Sequence, residues 1–141
     1  MRSKDYLLQI RKLDSLIKNK QTEVEHWKGV ACGSGSYSEG ERVQSSGNKQ
    51  KMASAIDKYV DIQAEIKADI GRLIDLKQEV IRTIEMLPVD EYDLLHKVYV
   101  QGWTLQEVAD HFEKSYSWAT TIHGRALANL QRVLDARKAV E

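Results

Sequence analysis

The stretch that decides the fold reads TLQEVADHFEKSYSWATTIH and covers residues 104–123. Its first half carries apolar residues at helical spacing, namely Leu105, Val108, Ala109 and Phe112. Thr104 is a favourable N-cap for a helix over these positions, and Ser115 is one for a second helix. With a turn of three to four residues between them, the pattern predicts a helix-turn-helix. The small side chain of Ala109 would let its helices cross closely.

Two longer amphipathic patterns precede this segment, over residues 4–30 and 49–86, and each predicts a helix with a heptad-like seam. The first seam is Tyr6, Ile10, Leu13, Ile17, Val24 and Trp27, with Lys20 filling one step. The second seam is Met52, Ile56, Tyr59, Ile66, Ile70, Leu73, Val80, Ile84 and Leu87, interrupted by Gln63 and Lys77. At 1.5 Å per residue the second helix would be roughly 57 Å long. A stripe of that length needs a partner to cover it.

Residues 32–48, CGSGSYSEGERVQSSGN, have no helical periodicity and predict a flexible loop. Such a loop would close the two long helices into an antiparallel hairpin, a coiled-coil arm over residues 1–87. A two-helix hairpin buries little core by itself, so two copies could instead pair into a four-helix homodimer. The pattern leaves open whether the arm pairs within one chain or between chains.

Pro88 ends the second long helix because proline cannot continue the hydrogen-bond ladder. Three shorter helices are expected after it, from Asp90 to Val100, from Leu105 to about Phe112, and from Ser115 to about Val140. The sequence thus predicts an all-α protein. Its helical arm would cover residues 1–87 and its helix-turn-helix domain residues 88–141.

Charge composition gives no general support for binding to a polyanion. The 141 residues carry 21 Lys and Arg against 21 Asp and Glu, so the formal net charge is zero. Residues 88–141 hold six basic and eight acidic residues. Any contact with nucleic acid would therefore depend on local placement of charge rather than on a bulk basic field.

Several other classes of function find no support. The only cysteine, Cys32, excludes an internal disulfide framework and fits a reducing cytoplasm. His96, His111 and His123 form no metal-binding motif, and Ser45-Ser46 lacks a nucleophile elbow. No apolar run reaches the roughly 18 residues of a membrane span, and no signal peptide is evident. We expect a cytoplasmic protein that is not an enzyme and needs no cofactor, metal, membrane or small-molecule substrate.

Residues 94–130 resemble region four of bacterial primary sigma factors and of extracytoplasmic sigma factors. The resemblance rests on Leu94–Trp103 as a lead-in helix and turn, on Thr104 to Ser115, and on Arg125-Ala126-Leu127 with Leu130. The whole chain is also similar to small prophage proteins grouped with the ArpU and RinA regulators of late phage genes, through its helical arm and Val-Gln-Ser-Ser at residues 43–46. These resemblances imply a DNA-binding transcription regulator that activates late phage genes, with double-stranded DNA and RNA polymerase as partners.

The sigma-like resemblance also implies which residues meet DNA. A recognition helix enters the major groove with its amino-terminal residues on the base edges. The base contacts implied are Tyr116, Ser117, Trp118, Thr120 and Thr121. The phosphate contacts implied are Thr104, Lys114, Ser115, His123 and Arg125.

The chain departs from the sigma-like pattern in three ways. It has no Arg or Lys between Tyr116 and His123, where the family usually carries them. Glu113 stands where the turn often has glycine, and Ala119 replaces a larger aliphatic residue. An alternative function therefore stays open, a protein adaptor that binds RNA polymerase or another phage protein without binding DNA on its own.

Overall fold

The fold is helical, and no strand occurs in residues 1–33 and 46–140, which a computed structural model describes. The helices in chain order are α1 (Ser3–Ala31), α2 (Ser46–Ile84), α3 (Val89–Leu95), α4 (Leu105–His111) and α5 (Tyr116–Val140). A π-helical turn, His96–Val100, continues α3. The predicted all-α class is confirmed. The predicted loop at 32–48 falls largely on residues 34–45, which lie outside the described residues, and α2 begins at Ser46 rather than at residue 49.

Packing divides the chain into two compact units. The first consists of Met1–Lys12 and Leu73–Glu141, and the second of Leu13–Arg72. The sequence places a domain boundary between residues 87 and 88, whereas the packing groups the end of α2 with the helices that follow it. The division into a functional arm and a functional helix-turn-helix domain stays a prediction.

In the second unit, contacts pair the two long helices in opposite directions. Lys20 Nζ of α1 lies 2.7 Å from Asp69 Oδ2 of α2. Farther along α1, Lys28 Nζ lies 6.0 Å from the ring centre of Tyr59. A later residue of α1 thus contacts an earlier residue of α2, so the two segments run antiparallel in this unit.

The buried positions of α2 in this unit differ from the predicted seam. Ala55 and Asp69 are each 1% exposed, whereas Ile56 and Ile70 are each 41% exposed and Met52 is 40% exposed. The predicted seam was therefore wrong at these three steps, and at two of them, Ile56 and Ile70, the preceding residue is buried instead. At residue 69 a carboxylate occupies the buried position that the apolar pattern assigned to its neighbour Ile70.

Asp69 is held at this buried position by two cations. Lys20 and Arg72 both donate to its carboxylate oxygens. The hydrogen bond from Lys20, followed by that from Arg72, keeps the pKa of Asp69 below its ordinary value. The same bond raises the pKa of Lys20. The lysine that interrupts the apolar seam of α1 is thus the partner of the aspartate on the buried face of α2.

The core of the first unit is built around one stripe of α5. That stripe consists of Ala119, Ile122, Ala126 and Leu130. It belongs to a buried cluster with Leu94 and Leu95 of α3, Val108 and Ala109 of α4, Leu7 of α1 and Ile84 of α2. Since α3 and α4 have seven residues each, far fewer than an isolated helix needs, they depend on this burial to remain folded.

The charge cluster around Asp69 predicts a pH-dependent stability. Asp69→Asn keeps the size of the side chain but removes the charge that Lys20 and Arg72 face, so we expect a lower Tm at neutral pH. Because folding lowers the pKa of Asp69, its stabilising effect is present above the pKa of the unfolded chain and is lost as the pH falls through the acidic range. The difference in Tm between the wild type and Asp69→Asn should therefore close on acidification.

Asp61→Asn provides the matched control, since Asp61 is an exposed carboxylate of the same helix without an ion-pair partner in residues 1–33 and 46–140. A difference in Tm that stays constant with pH, or that Asp61→Asn reproduces, would contradict the assignment.

Candidate nucleic-acid interface

The first helix of the interface, α4, begins with a capping box. Thr104 Oγ1 accepts a hydrogen bond from the Glu107 amide at 3.1 Å, and Glu107 Oε1 accepts one from the Thr104 amide at 3.4 Å. Two amide groups that lack partners at the start of any helix are thereby satisfied. The predicted N-cap role of Thr104 is confirmed, and its hydroxyl is already engaged within the protein.

The turn between α4 and α5, residues 112–115, has a defined hydrogen-bond pattern. The Lys114 amide donates to the Ala109 carbonyl at 2.8 Å, and the Glu113 amide donates to the Asp110 carbonyl at 3.1 Å. This is a Schellman motif, and it requires a left-handed residue after the helix end. Glu113 takes that conformation with φ of +56°, so the turn forms despite the side chain that the sequence places there.

The recognition-helix candidate, α5, starts at a serine cap and exposes a face of hydroxyl groups. Ser115 Oγ accepts from the Trp118 amide at 3.0 Å, which confirms the predicted cap. Beyond it, Ser117, Thr120 and Thr121 are exposed, and Tyr116 is 52% exposed. The structure thus brings four of the five predicted base-contacting residues to the surface at the start of one helix.

The two threonines of this face share one acceptor. Thr120 Oγ1 and Thr121 Oγ1 each donate to the Ser117 carbonyl oxygen at 2.9 Å. The hydroxyl protons are therefore used within the helix, while the oxygen lone pairs stay free to accept hydrogen bonds. The carbonyl of Ser117 fixes both side-chain conformations before any ligand arrives.

Trp118, the fifth residue predicted to contact bases, is half-buried. Its ring meets the ring of Phe112 edge-on at 5.9 Å between centres. The two aromatic side chains line a shallow depression with Val89, Asp90 and Asp93 of α3. Trp118 thus packs beside the core of the unit, and the groove-reading role implied for it stays a prediction.

His123 is placed in an internal pair rather than among free cations. Its Nε2 lies 2.7 Å from the Tyr99 hydroxyl, and the two rings stack with 5.8 Å between centres. Burial, followed by the nearby charge of Lys4, lowers the pKa of His123. The imidazole is therefore mainly neutral at pH 7, which gives it no charge to offer a phosphate.

The remaining phosphate-contact candidates are exposed cations at the two sides of the hydroxyl face. Lys114 lies in the turn before α5, and Arg125 lies one helical turn beyond Thr121. Neither forms an ion pair in the part of the chain that the structure describes. Both charges are therefore available to an anionic partner.

Two polar contacts that hold α5 in place were missed at the sequence level. Glu91 of α3 is only 2% exposed, and its Oε1 accepts from Asn129 Nδ2 at 2.7 Å. Tyr99 and His123 form the second contact. A glutamate in the first turn of a helix is usually exposed to solvent, so the residues around Glu91 do not predict its burial. The burial becomes evident only when α5 places Asn129 against the carboxylate.

The described part of the chain contains no group of three or more His, Cys, Asp or Glu side chains that could hold a metal ion. Within residues 1–33 and 46–140, no helix is long and apolar enough to span a membrane.

Comparison with known proteins gives one informative similarity. The chain is 26% identical over 99 residues to a protein of Bacillus subtilis strain 168 described as RNA polymerase sigma factor SigO. The match covers 70% of this chain and 51% of that protein, so the chain spans about half the length of the curated relative it matches. No family model matches the chain. No solved structure matches it either.

The strained turn generates a stability prediction. Glu113→Gly should stabilise the fold by about 0.5–1 kcal/mol. A left-handed residue with a Cβ costs about 1–2 kcal/mol, and glycine removes this cost but also raises the conformational entropy of the unfolded chain, which offsets part of the gain. The free energy of unfolding from urea titration measures the effect. Glu113→Ala is the control, since it removes the carboxylate but keeps the Cβ. Equal stabilisation by both variants would attribute the gain to lost charge rather than to relieved backbone strain.

Proposed function

We propose that this chain is a DNA-binding regulator of transcription that reads a promoter with the start of α5. The observation that carries the proposal is the exposed hydroxyl face of Ser117, Thr120 and Thr121, presented directly after a capped α4 and a defined turn. Helix-turn-helix proteins place this part of their second helix in the major groove. The similarity to a protein described as a sigma factor supports a role in transcription.

The hydroxyl face suggests how bases would be read. Because Thr120 and Thr121 donate to the Ser117 carbonyl, their oxygens are acceptors for the exocyclic amines of adenine or cytosine. Their methyl groups provide apolar contact to a thymine methyl. Tyr116 and Trp118 complete the proposed base-reading set.

Phosphate groups would be held at the sides of this face. Lys114 and Arg125 would contribute charge, and the amides at the start of α5 would contribute partial positive charge. Thr104, Ser115 and His123 belong to the same proposed set. Their polar groups are engaged within the protein, so they would act mainly by positioning.

The finer proposal is a regulator of late phage genes. It rests on the resemblance of the whole chain to prophage regulators of the ArpU and RinA type, with RNA polymerase as a second partner and a homodimer formed through the helical arm. Crosslinking the protein to DNA across the genome during prophage induction tests this assignment. We expect a sharp peak upstream of late phage genes, whereas a flat profile would contradict it.

A protein adaptor is the second candidate, and the charge distribution favours it. No Lys or Arg lies between Tyr116 and His123, and residues 88–141 carry more acidic than basic residues. In this case α5 would contact a protein partner such as RNA polymerase. The adaptor predicts a stable protein complex and no retention of DNA at physiological salt.

Selection of duplexes from a random-sequence library separates these candidates and tests the base-reading face. The wild type should enrich a defined motif. The double variant Thr120→Ala, Thr121→Ala should lose preference at one or two base pairs, each worth about 1–3 kcal/mol of discrimination. Binding to non-specific duplex should change little, since phosphate contacts carry that affinity.

Thr22→Ala is the matched control, because Thr22 is an exposed helical threonine whose hydroxyl also donates to a carbonyl four residues earlier, that of Lys18. It should leave the motif unchanged. An identical motif from the double variant would refute the base-reading role, and failure of the wild type to enrich any motif would favour the adaptor.

A further inference from the structure

The start of α5, from Tyr116 to His123, carries no Lys or Arg, whereas the beginning of the chain carries an excess of them. Residues 1–12 contain Arg2, Lys4, Arg11 and Lys12 against a single acidic residue, Asp5. We call these four cations the amino-terminal basic segment. They belong to the same compact unit as α5.

The beginning of α1 is tied directly to α5. The Ser3 amide donates to Gln131 Oε1 at 2.8 Å, and Gln131 Nε2 donates to the Met1 carbonyl at 3.2 Å. Ser3 is buried at this junction. One glutamine of α5 thus holds two backbone groups that flank Arg2 and precede Lys4.

Two cations of the segment lie near the pair formed by Tyr99 and His123, the latter two residues beyond Thr121. Lys4 and Arg11 are seven positions apart, which places them on one side of α1. The Arg11 guanidinium donates to the Val98 carbonyl at 3.2 Å and lies 5.4 Å from the ring centre of Tyr99, the partner of His123. Lys4 is close enough to contribute, after burial, to the lowered pKa of His123.

These charges are not neutralised within the protein. All four side chains of the amino-terminal basic segment are exposed, and none forms an ion pair with another part of the described chain. By contrast, Lys97 and Arg137 of the same unit have carboxylate partners, Asp93 and Glu79. The amino-terminal basic segment thus adds four cations, unpaired within the described chain, to those that Lys114 and Arg125 contribute in the same unit.

We propose that the amino-terminal basic segment binds the phosphate backbone of duplex DNA beside the groove occupied by α5, and supplies in cis the cations that the start of α5 lacks. This inference rests on the proposed DNA-binding function. The division of labour is physical, since hydroxyl groups on α5 discriminate bases but contribute little long-range attraction. Lysines on α1 attract any sequence and carry no base information.

The salt dependence of binding tests this assignment. Each phosphate contact that is lost reduces the slope of log K against log salt by about 0.9. The double variant Lys4→Gln, Lys12→Gln removes two exposed cations for which no protein partner is described. Its plot of log K against log salt should be less steep than that of the wild type by about two units of slope. The probe is a mixed-sequence duplex of about 30 base pairs, with binding measured by fluorescence anisotropy between low and physiological salt.

The control variant is Lys51→Gln, Lys67→Gln, which makes the same change in net charge on exposed positions of the second unit. It should keep the wild-type slope. Thermal denaturation checks that each variant remains folded. A slope unchanged in Lys4→Gln, Lys12→Gln, or reduced equally in both variants, overturns the inference while leaving DNA binding by α5 intact. A wild type that binds no duplex at low salt overturns the proposed function and this inference together.

Discussion

Ala119, Ile122, Ala126 and Leu130 form one buried stripe along α5, and the short helices around it depend on that stripe. The seven-residue helices α3 and α4 have too few internal hydrogen bonds to persist alone, so packing against α5 fixes where they lie. The same helix turns a face of small hydroxyl side chains to solvent. Orientation of the candidate interface therefore follows from core packing, because both faces belong to a single rigid element.

The local features of this fold follow from the sequence, and the departures come from polar groups that find distant partners. Helix positions, the caps at Thr104 and Ser115, and the demanding turn at Glu113 depend on neighbouring residues, so patterns within a few positions reveal them. The burial of Asp69 on α2 was not predicted, because only its pairing with Lys20 of α1 explains a carboxylate at a buried position. The pairing of His123 with Tyr99 was not predicted, because it depends on a contact 24 residues away in sequence, and the phosphate contact assigned to His123 stays a prediction. The base-reading assignment itself stays a prediction, because it depends on a DNA molecule that the sequence does not describe.

A formal net charge of zero is often taken as evidence against nucleic-acid binding, yet it says nothing about where charges lie. In this chain some cations have carboxylate partners, as in the cluster of Lys20, Arg72 and Asp69. The exposed cations without carboxylate partners in the described residues include those at the start of α1, beside α5. Arrangement of charge, rather than its sum, is what makes an interaction with an anionic polymer physically reasonable here.

The bond between Ser3 and Gln131 joins residues 128 positions apart. Contacts of such long range close late, because the ends of a large loop must meet before any stabilisation is gained. During synthesis, Leu7 and its apolar neighbours on α1 emerge long before the stripe of α5 that belongs to the same buried cluster. The bond between Ser3 and Gln131 can therefore form only after translation has passed Gln131, so every helix between them must be synthesised before the start of α1 is fixed against α5.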